Sequence, residues 1–422
     1  MANIQEMFYQ CRVVKYDCDM MRFLWWPEGQ LDKPLCEYRM LVHLFGASSL
    51  PSCSNFALKQ VACDNKNKCS PEVINAINNN FYVDDFLKSM PNENDAIKLV
   101  KEICVILKLG GFNLTKWLSN SRQLLSTIPE KDRVEEVKKL DFETDNLPIK
   151  RAPSVQWSVV KDRLEFDINI VNPKATRRNI LSAMSSVYDP CGFVAPYVLK
   201  AKMILQELCR AKLSWDETIP ETHKLEWEKW LIDLPNLSKV KVNRCLVPNN
   251  FGKVVNTDLH HFGDACQTGY GTVTYVGLRF VNSEGDIHVA FVLGRSRVAP
   301  IRPHTIVKLE LSAATCLVRI NTMLLRELSI PVNSIYFWTD SQTIIKYIRN
   351  DKMRHQIFVS NRLAIIHDGS DVSQWHYVPS KLNCENYASC GLSASDLMNS
   401  EWLFGPEFLR QPSSEWPSYP VA

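Results

Sequence analysis

The stretch "NFYVDDFLKSM" (residues 80–90) sets two acids, Asp84 and Asp85, side by side inside an apolar run. Phe81, Tyr82 and Val83 precede them, and Phe86 and Leu87 follow. Carboxylates that serve only solubility have no reason to interrupt a strand-like run. Two strands joined by a tight turn would present both acids together. Such oxygen pairs bind divalent cations, and Mg²⁺ completes its octahedral shell with substrate phosphates. On its own, a tetrad of this kind is more often a solvated surface turn. A third ligand elsewhere in the chain decides between the two readings.

The 422 residues suit two or three domains. Hydrophobic residues make up 45% and charged residues 23%, close to ordinary globular usage. A net charge of +3 permits a nucleic-acid partner without requiring one. No apolar run is long enough to span a membrane, and the first residues have no signal-peptide core. The expectation is an intracellular protein, cytoplasmic or nuclear. The 14 cysteines form no Cys-x-x-Cys pair, and neither they nor the 9 histidines cluster at zinc spacing. Reduced thiols and no zinc site are expected.

Three stretches and a tail follow one another. Residues 1–150 alternate strand-like words (22–26 and 38–46) with helical ones, among them "NDAIKLVKEICVILKLGGF", an amphipathic helix ending at Gly110-Gly111. Residues 151–250 mix a short strand region with helices, one of them broken at Pro190 and Pro196, and "HKLEWEKWLIDL" gathers Leu225, Trp227, Trp230 and Leu231. Residues 251–395 read as a hairpin pair, a helix, a buried strand and a further helix. Residues 396–422 read as an irregular tail. Trp25, Trp26, Trp227 and Trp230 read as core rather than base-stacking platforms.

Several blocks now fall into one order. They are "EMFYQCRV" (6–13), "RFLWWPEG" (22–29), "EYRMLVHLFGASSLPSCSNFAL" (37–58), "YVDD" (82–85), "KWLSNS" (116–121), "SSVYDPCGFVAPYVLKAKMILQELCR" (185–210), "WTDSQTIIKYIRN" (338–350) and "GPEFLRQPSSEWP" (405–417). Together they resemble the polyprotein of Bel/Pao LTR retrotransposons, from the middle of the reverse transcriptase through the ribonuclease H region. The resemblance covers essentially the whole chain. It implies an α+β to α/β multidomain architecture: a partial palm with a thumb-like region over 1–150, a connection over 151–250, and a ribonuclease H-like mixed sheet with flanking helices over 251–395. It also implies two-metal phosphoryl transfer with Mg²⁺ and an RNA template or RNA–DNA hybrid as partner.

Residue by residue, the resemblance makes Asp84 and Asp85 polymerase ligands. Tyr82, Phe8, Gly46 and Pro51 become nucleotide-binding positions, with Phe8 under the incoming sugar. The family's first palm motif reads Ala-Asp-Ile, two residues, then Met-Phe. Here the words are "MANIQEMF", and Asn3 stands at the aspartate position. Asn is nearly isosteric but neutral, and two-metal chemistry needs the charge. The strand carrying it lies at the start of the sequence, where the family has a fingers region. The expectation is an inactive polymerase.

The second constellation is Asp264, Glu310 and Asp340. The words "HFGDACQTGYGTVTYV" put Asp264 at a strand start, "KLELSAA" puts Glu310 near a helix start, and "FWTDSQ" puts Asp340 at a strand end with Ser341 as cap. Singly, each is more often a solvated or capping acid. In this order the resemblance makes them ribonuclease H metal ligands. The fourth ligand is expected within "NCENYASCGL" (383–392), where Asn386 and Tyr387 replace both family acids and Glu385 lies one helical step away. His376 is displaced from the family's histidine position. Impaired hydrolysis is expected. Arg295, Arg297, Arg302 and Lys308 are candidate phosphate contacts, equally readable as a solvated basic surface. A non-catalytic nucleic-acid-binding or protein-interaction module is the alternative function.

Overall fold

Leu99, Val100, Ile103, Ile106 and Leu107 line the buried side of a helix over Glu93–Leu109, as their 3.6-residue period requires. The computed structural model that contains it describes the chain apart from residues 139–148, 152–154, 169–173, 266–272, 302–303, 351–353, 385–386, 388–390 and 419–422. Two units result, Met1–Pro148 and Ile149–Ala422.

The first unit has strands β1 (Ala2–Ile4), β2 (Arg22–Trp25), β3 (Cys36–Arg39), β4 (Phe81–Tyr82), β5 (Asp85–Phe86) and β6 (Leu114–Thr115). Its helices are α1 (Leu50–Asp64), α2 (Pro71–Asn79), α3 (Glu93–Leu109), α4 (Arg122–Thr127) and α5 (Glu135–Lys138). A four-stranded sheet runs in the order β4-β5-β1-β6. Ile4, Phe86 and Leu114 from this sheet pack with Leu58, Val73, Ile77 and Ile103 from α1–α3. Each fully buried side chain of this kind contributes about 1.5–3 kcal/mol. Gly110 lets α3 close on α1, because a Cβ there would stand 2.1 Å from a Val61 methyl. Strands β2 and β3 form a separate, exposed ribbon. Trp25 is therefore not core: it is 53% exposed. The strand expected over 38–46 ends at Arg39, and Phe45 beyond it is exposed.

The second unit opens with β7 (Ile149–Arg151), β8 (Val155–Ser158) and β9 (Arg163–Phe166), which join β10 (Lys241–Asn243) in an antiparallel sheet. Between β9 and β10 lie α6 (Arg177–Ser186), α7 (Ala195–Arg210) and α8 (Glu221–Asp233). Pro196 falls in the first turn of α7 rather than breaking it, a position where its missing N–H has no partner to lose. A second sheet follows: β11 (Val254–Asp264), β12 (Val273–Asn282), β13 (Ile287–Arg295), β14 (Ser334–Thr339) and β15 (Trp375–Tyr377). Its helices are α9 (Ile306–Glu327), α10 (Gln342–Arg349), α11 (Ile357–Gly369) and α12 (Ala394–Asn399).

This sheet runs β13-β12-β11-β14-β15. The first three strands are antiparallel, and β14 and β15 continue parallel to β11. Both faces are covered, so alternate residues serve different cores. Leu259 and Phe337 meet the α9 side with Leu324 and Leu317. Phe262 and Trp338 meet Trp227, Trp402 and Phe408 on the other. Trp227 and Trp230 are core, as expected, whereas Leu225 is exposed. The stretch read as an irregular tail buries Trp402 and Leu409 completely. Arg279 holds it, donating to the carbonyls of Leu409 (2.9 Å) and Gln411 (3.3 Å) and pairing with Asp258 at 3.1 Å. No disulfide joins the described cysteines. No described helix is long and apolar enough to cross a membrane.

Candidate functional site

In the first unit, β4 and β5 form a hairpin in which Tyr82 faces Asp85. The two-residue turn between them holds Val83 at φ +58. A β-branched residue is strained there, by about 1–2 kcal/mol, and such strain gathers at functional positions. Strand β1 pairs beside β5 with Asn3 opposite Asp85. Asn3 Nδ2 donates to Asp84 Oδ2 at 2.7 Å and reaches Asp85 Oδ1 at 3.5 Å. Ionised carboxylates only accept, so the amide nitrogen, not its oxygen, must face them. The three positions expected to form one site are thus brought together. A neutral donor stands where the resemblance has a third acid and a cation.

Phe8 lies in a short turn over Met7–Gln10 and packs edge-on against Phe45 at 5.5 Å. Gly46 follows Phe45 at φ +96, which favours glycine. Pro51 sits in the first turn of α1. Tyr82 is 74% exposed.

In the second unit, β11 and β14 run parallel with Gly263 beside Thr339. One residue on, Asp264 and Asp340 stand at the same end of neighbouring strands. Asp264 closes a strand rather than starting one, and it is buried. Glu310, in the second turn of α9, accepts from Ser341 Oγ at 2.7 Å. The same Ser341 caps α10. Burial pushes the Glu310 carboxyl above its ordinary value, and the Asp340 charge adds to this against the Ser341 bond. Asp340 in turn accepts from Ser380 Oγ at 2.6 Å.

Hard carboxylate oxygens are the right donors for Mg²⁺. Yet among the described residues no three His, Cys, Asp or Glu side chains gather closely enough to hold a metal. As folded, the trio does not fit a preformed metal site. Asn386 and Glu385 lie outside the described residues, as does Arg302. His376 is on β15 and packs against Trp338 and Tyr336 rather than standing at a strand end. Lys308 lies over the Phe358 ring.

Residues 176–341 match the family described as Pao retrotransposon-like RNaseH-like domain. The match runs from the Thr176 cap of α6 to Ser341. The second unit therefore carries an RNase H-like domain of the Pao retrotransposon kind, within a mixed α/β fold. The chain is also similar to the crystal structure of RNase H1 from the halophilic archaeon Halobacterium salinarum NRC-1. Identity is 14%, over 30% of this chain and 89% of that one, and the TM-score of 0.19 carries no weight. No curated protein matches the chain.

One arrangement escaped the sequence reading. Asp189 accepts from the amides of Gly192 (2.9 Å), Phe193 (3.0 Å) and Val194 (2.8 Å), fixing the loop between α6 and α7. Gly192, at φ +78, touches Gly294 of β13 so closely that a Cβ would stand 1.7 Å from the Gly294 oxygen. An Asp followed by Pro and then Gly signals a turn, but not the strand it docks on.

Proposed function

We propose that the chain is a retrotransposon-derived reverse transcriptase–ribonuclease H fragment whose RNase H-like part binds RNA–DNA hybrid. Its polymerase chemistry is lost and its hydrolysis reduced. The reading of the second unit rests on one observation: Asp264 and Asp340 end neighbouring parallel strands while Glu310 is tied to the cap that follows Asp340. The family match over the same elements supports it. We assign Mg²⁺ to Asp264, Glu310 and Asp340 on donor chemistry. These carboxylates would have to be drawn together with the substrate strand. We read the first unit as a palm remnant, with Asp84, Asp85 and Tyr82 as its hairpin. The amide of Asn3 supports its inactivity, because it satisfies the acids without supplying charge.

The test is Mg²⁺- or Mn²⁺-dependent cleavage of an RNA–DNA hybrid by the full chain, beside binding of the same hybrid. Expected are salt-sensitive binding and slow cleavage that Asp340→Asn abolishes. Binding without cleavage would favour a module that has kept only recognition. A folded chain that binds no hybrid would refute the proposal.

A further inference from the structure

Strand β13 ends at the same edge of the sheet as the candidate carboxylates. Asp264 pairs with Val273 on β12, and the next residue of β12, Thr274, pairs with Arg295 on β13. Arg295 is therefore two strands from Asp264, about 10 Å at ordinary strand spacing. Arg297 follows, and both arginines are exposed. Neither makes an ion pair among the described residues. Between them Ser296 is buried, and its hydroxyl has no hydrogen-bond partner.

The segment is held from behind. Lys202 Nζ on α7 donates to the Ser296 carbonyl at 3.2 Å, and Gln206 donates to the Ala299 carbonyl. The Gly294 amide donates to Cys191 at 2.8 Å, on the loop that Asp189 fixes. Burial lowers the Lys202 pKa, and the charges of Arg297 and Arg295 add to that against Asp189. Three cations thus crowd one edge. Asp189, the anion that opposes them, already accepts three amide bonds. Three cations set against one carboxylate leave an excess of positive charge that favours a polyanion.

We infer that Arg295, Arg297 and Lys202 form a phosphate-holding site for a nucleic-acid backbone running along the sheet edge toward Asp264 and Asp340. The inference rests on the hybrid-binding reading above and adds which residues grip the strand. At an axial rise of about 3.4 Å per nucleotide, the arginines meet phosphates about three nucleotides from the carboxylate end. The site also gives α7, which lies outside the five-stranded sheet and its own helices, a part in recognition. It contacts phosphates, so it positions the strand without reading its sequence.

The test is fluorescence anisotropy of a labelled RNA–DNA hybrid against the full chain across a salt series. The variants are Arg295→Gln/Arg297→Gln, Lys202→Gln, and Arg326→Gln at the far end of α9 as control. Thermal melts check that each is folded. Each lost phosphate contact lowers the salt slope by about 0.9. The double variant is expected to bind about 30-fold more weakly at 0.15 M salt, with a slope smaller by about 2. Lys202→Gln should lower affinity less, and Arg326→Gln should match the wild type. If the double variant binds with wild-type affinity and slope, this inference fails alone. If the wild-type chain binds no hybrid, the functional reading fails and takes this inference with it.

Discussion

Replacing Asn3 with aspartate puts the missing charge back and asks what the amide is doing. The 2.7 Å bond from Asn3 Nδ2 to Asp84 is a bond to a charged group, of a kind that contributes about 1.5–3 kcal/mol. The 3.5 Å reach to Asp85 is at the limit of a hydrogen bond and adds little. Asn3→Asp removes both and sets a third carboxylate against the pair. Two like charges about 4 Å apart repel by about 1 kcal/mol in water and about 4 kcal/mol at a partly buried site. All three residues are partly exposed, so the lower half of that range applies. Without metal, the variant should lose about 3–5 kcal/mol. Mn²⁺ should then reverse it: a ligand at a hundred times its Kd stabilises by about 2.7 kcal/mol. The assay is urea unfolding of both chains with and without Mn²⁺, and Asn3→Ala separates loss of the bond from gain of charge. If the wild-type chain gains as much from Mn²⁺ as the variant, the amide does not stand in for a cation, and the reasoning is wrong.

Two further outcomes follow from burial in the second unit. Gly192→Ala adds a Cβ that meets the Gly294 oxygen at φ +78; strain and overpacking together should cost at least about 3 kcal/mol, read as a lower urea midpoint, and an unchanged midpoint would refute the close contact. His260 and His261 are fully buried in β11, and burial holds both below the ordinary imidazole value, His261 at about 3 despite its bond to Asn321. Their folded pKa values are depressed, so the unfolded chain takes up protons first, and stability present above about pH 6.5 is lost as pH falls below it. At pH 5 His261 should have lost about 2 kcal/mol, and His260 acts in the same direction. Urea unfolding from pH 7.5 to 5 checks the slope, and a slope that His261→Phe leaves untouched would show that this histidine is not its source.

The sequence was most readable where one periodicity ruled. Helix α3 and the Phe337-Trp338 strand match their patterns, because the buried side chains of each are nearly all apolar. Strand β11 was not legible. Its words "NTDLHHFGD" are polar, yet from Thr257 onward every residue is buried. Arg279 neutralises Asp258, Asn321 bonds His261, and the Trp338 indole donates to His260 at 3.1 Å. Each partner is distant in sequence, so a local reading meets only the polar half of every pair and places Asp264 at a strand start. The tail failed for the same reason. Trp402 and Leu409 are buried by elements far ahead of them, and the carbonyls that anchor the tail bond to Arg279, whose side chain gives no local signal. The single letter at Asn3 carried more, because an amide between two carboxylates can be read only one way.

Both carboxylate sets answer the same physical demand by neutral means. Acids held near one another and partly out of water need compensation, and without it they repel and protonate. At the β4–β5 hairpin an amide supplies it. In the second unit, Ser341 and Ser380 hydroxyls supply it to Glu310 and Asp340. The two differ in how easily they yield. A serine hydroxyl rotates away at the cost of one hydrogen bond, about 1 kcal/mol net. The Asn3 backbone is fixed by strand pairing, with Asn3 opposite Asp85 on one side and Thr115 on the other. The position cannot shift without opening the sheet, and its amide brings no charge to a metal. The proposed hydrolysis is therefore to be tested at Asp264, Glu310 and Asp340, while the Asp84–Asp85 pair lacks the charge of a three-carboxylate site.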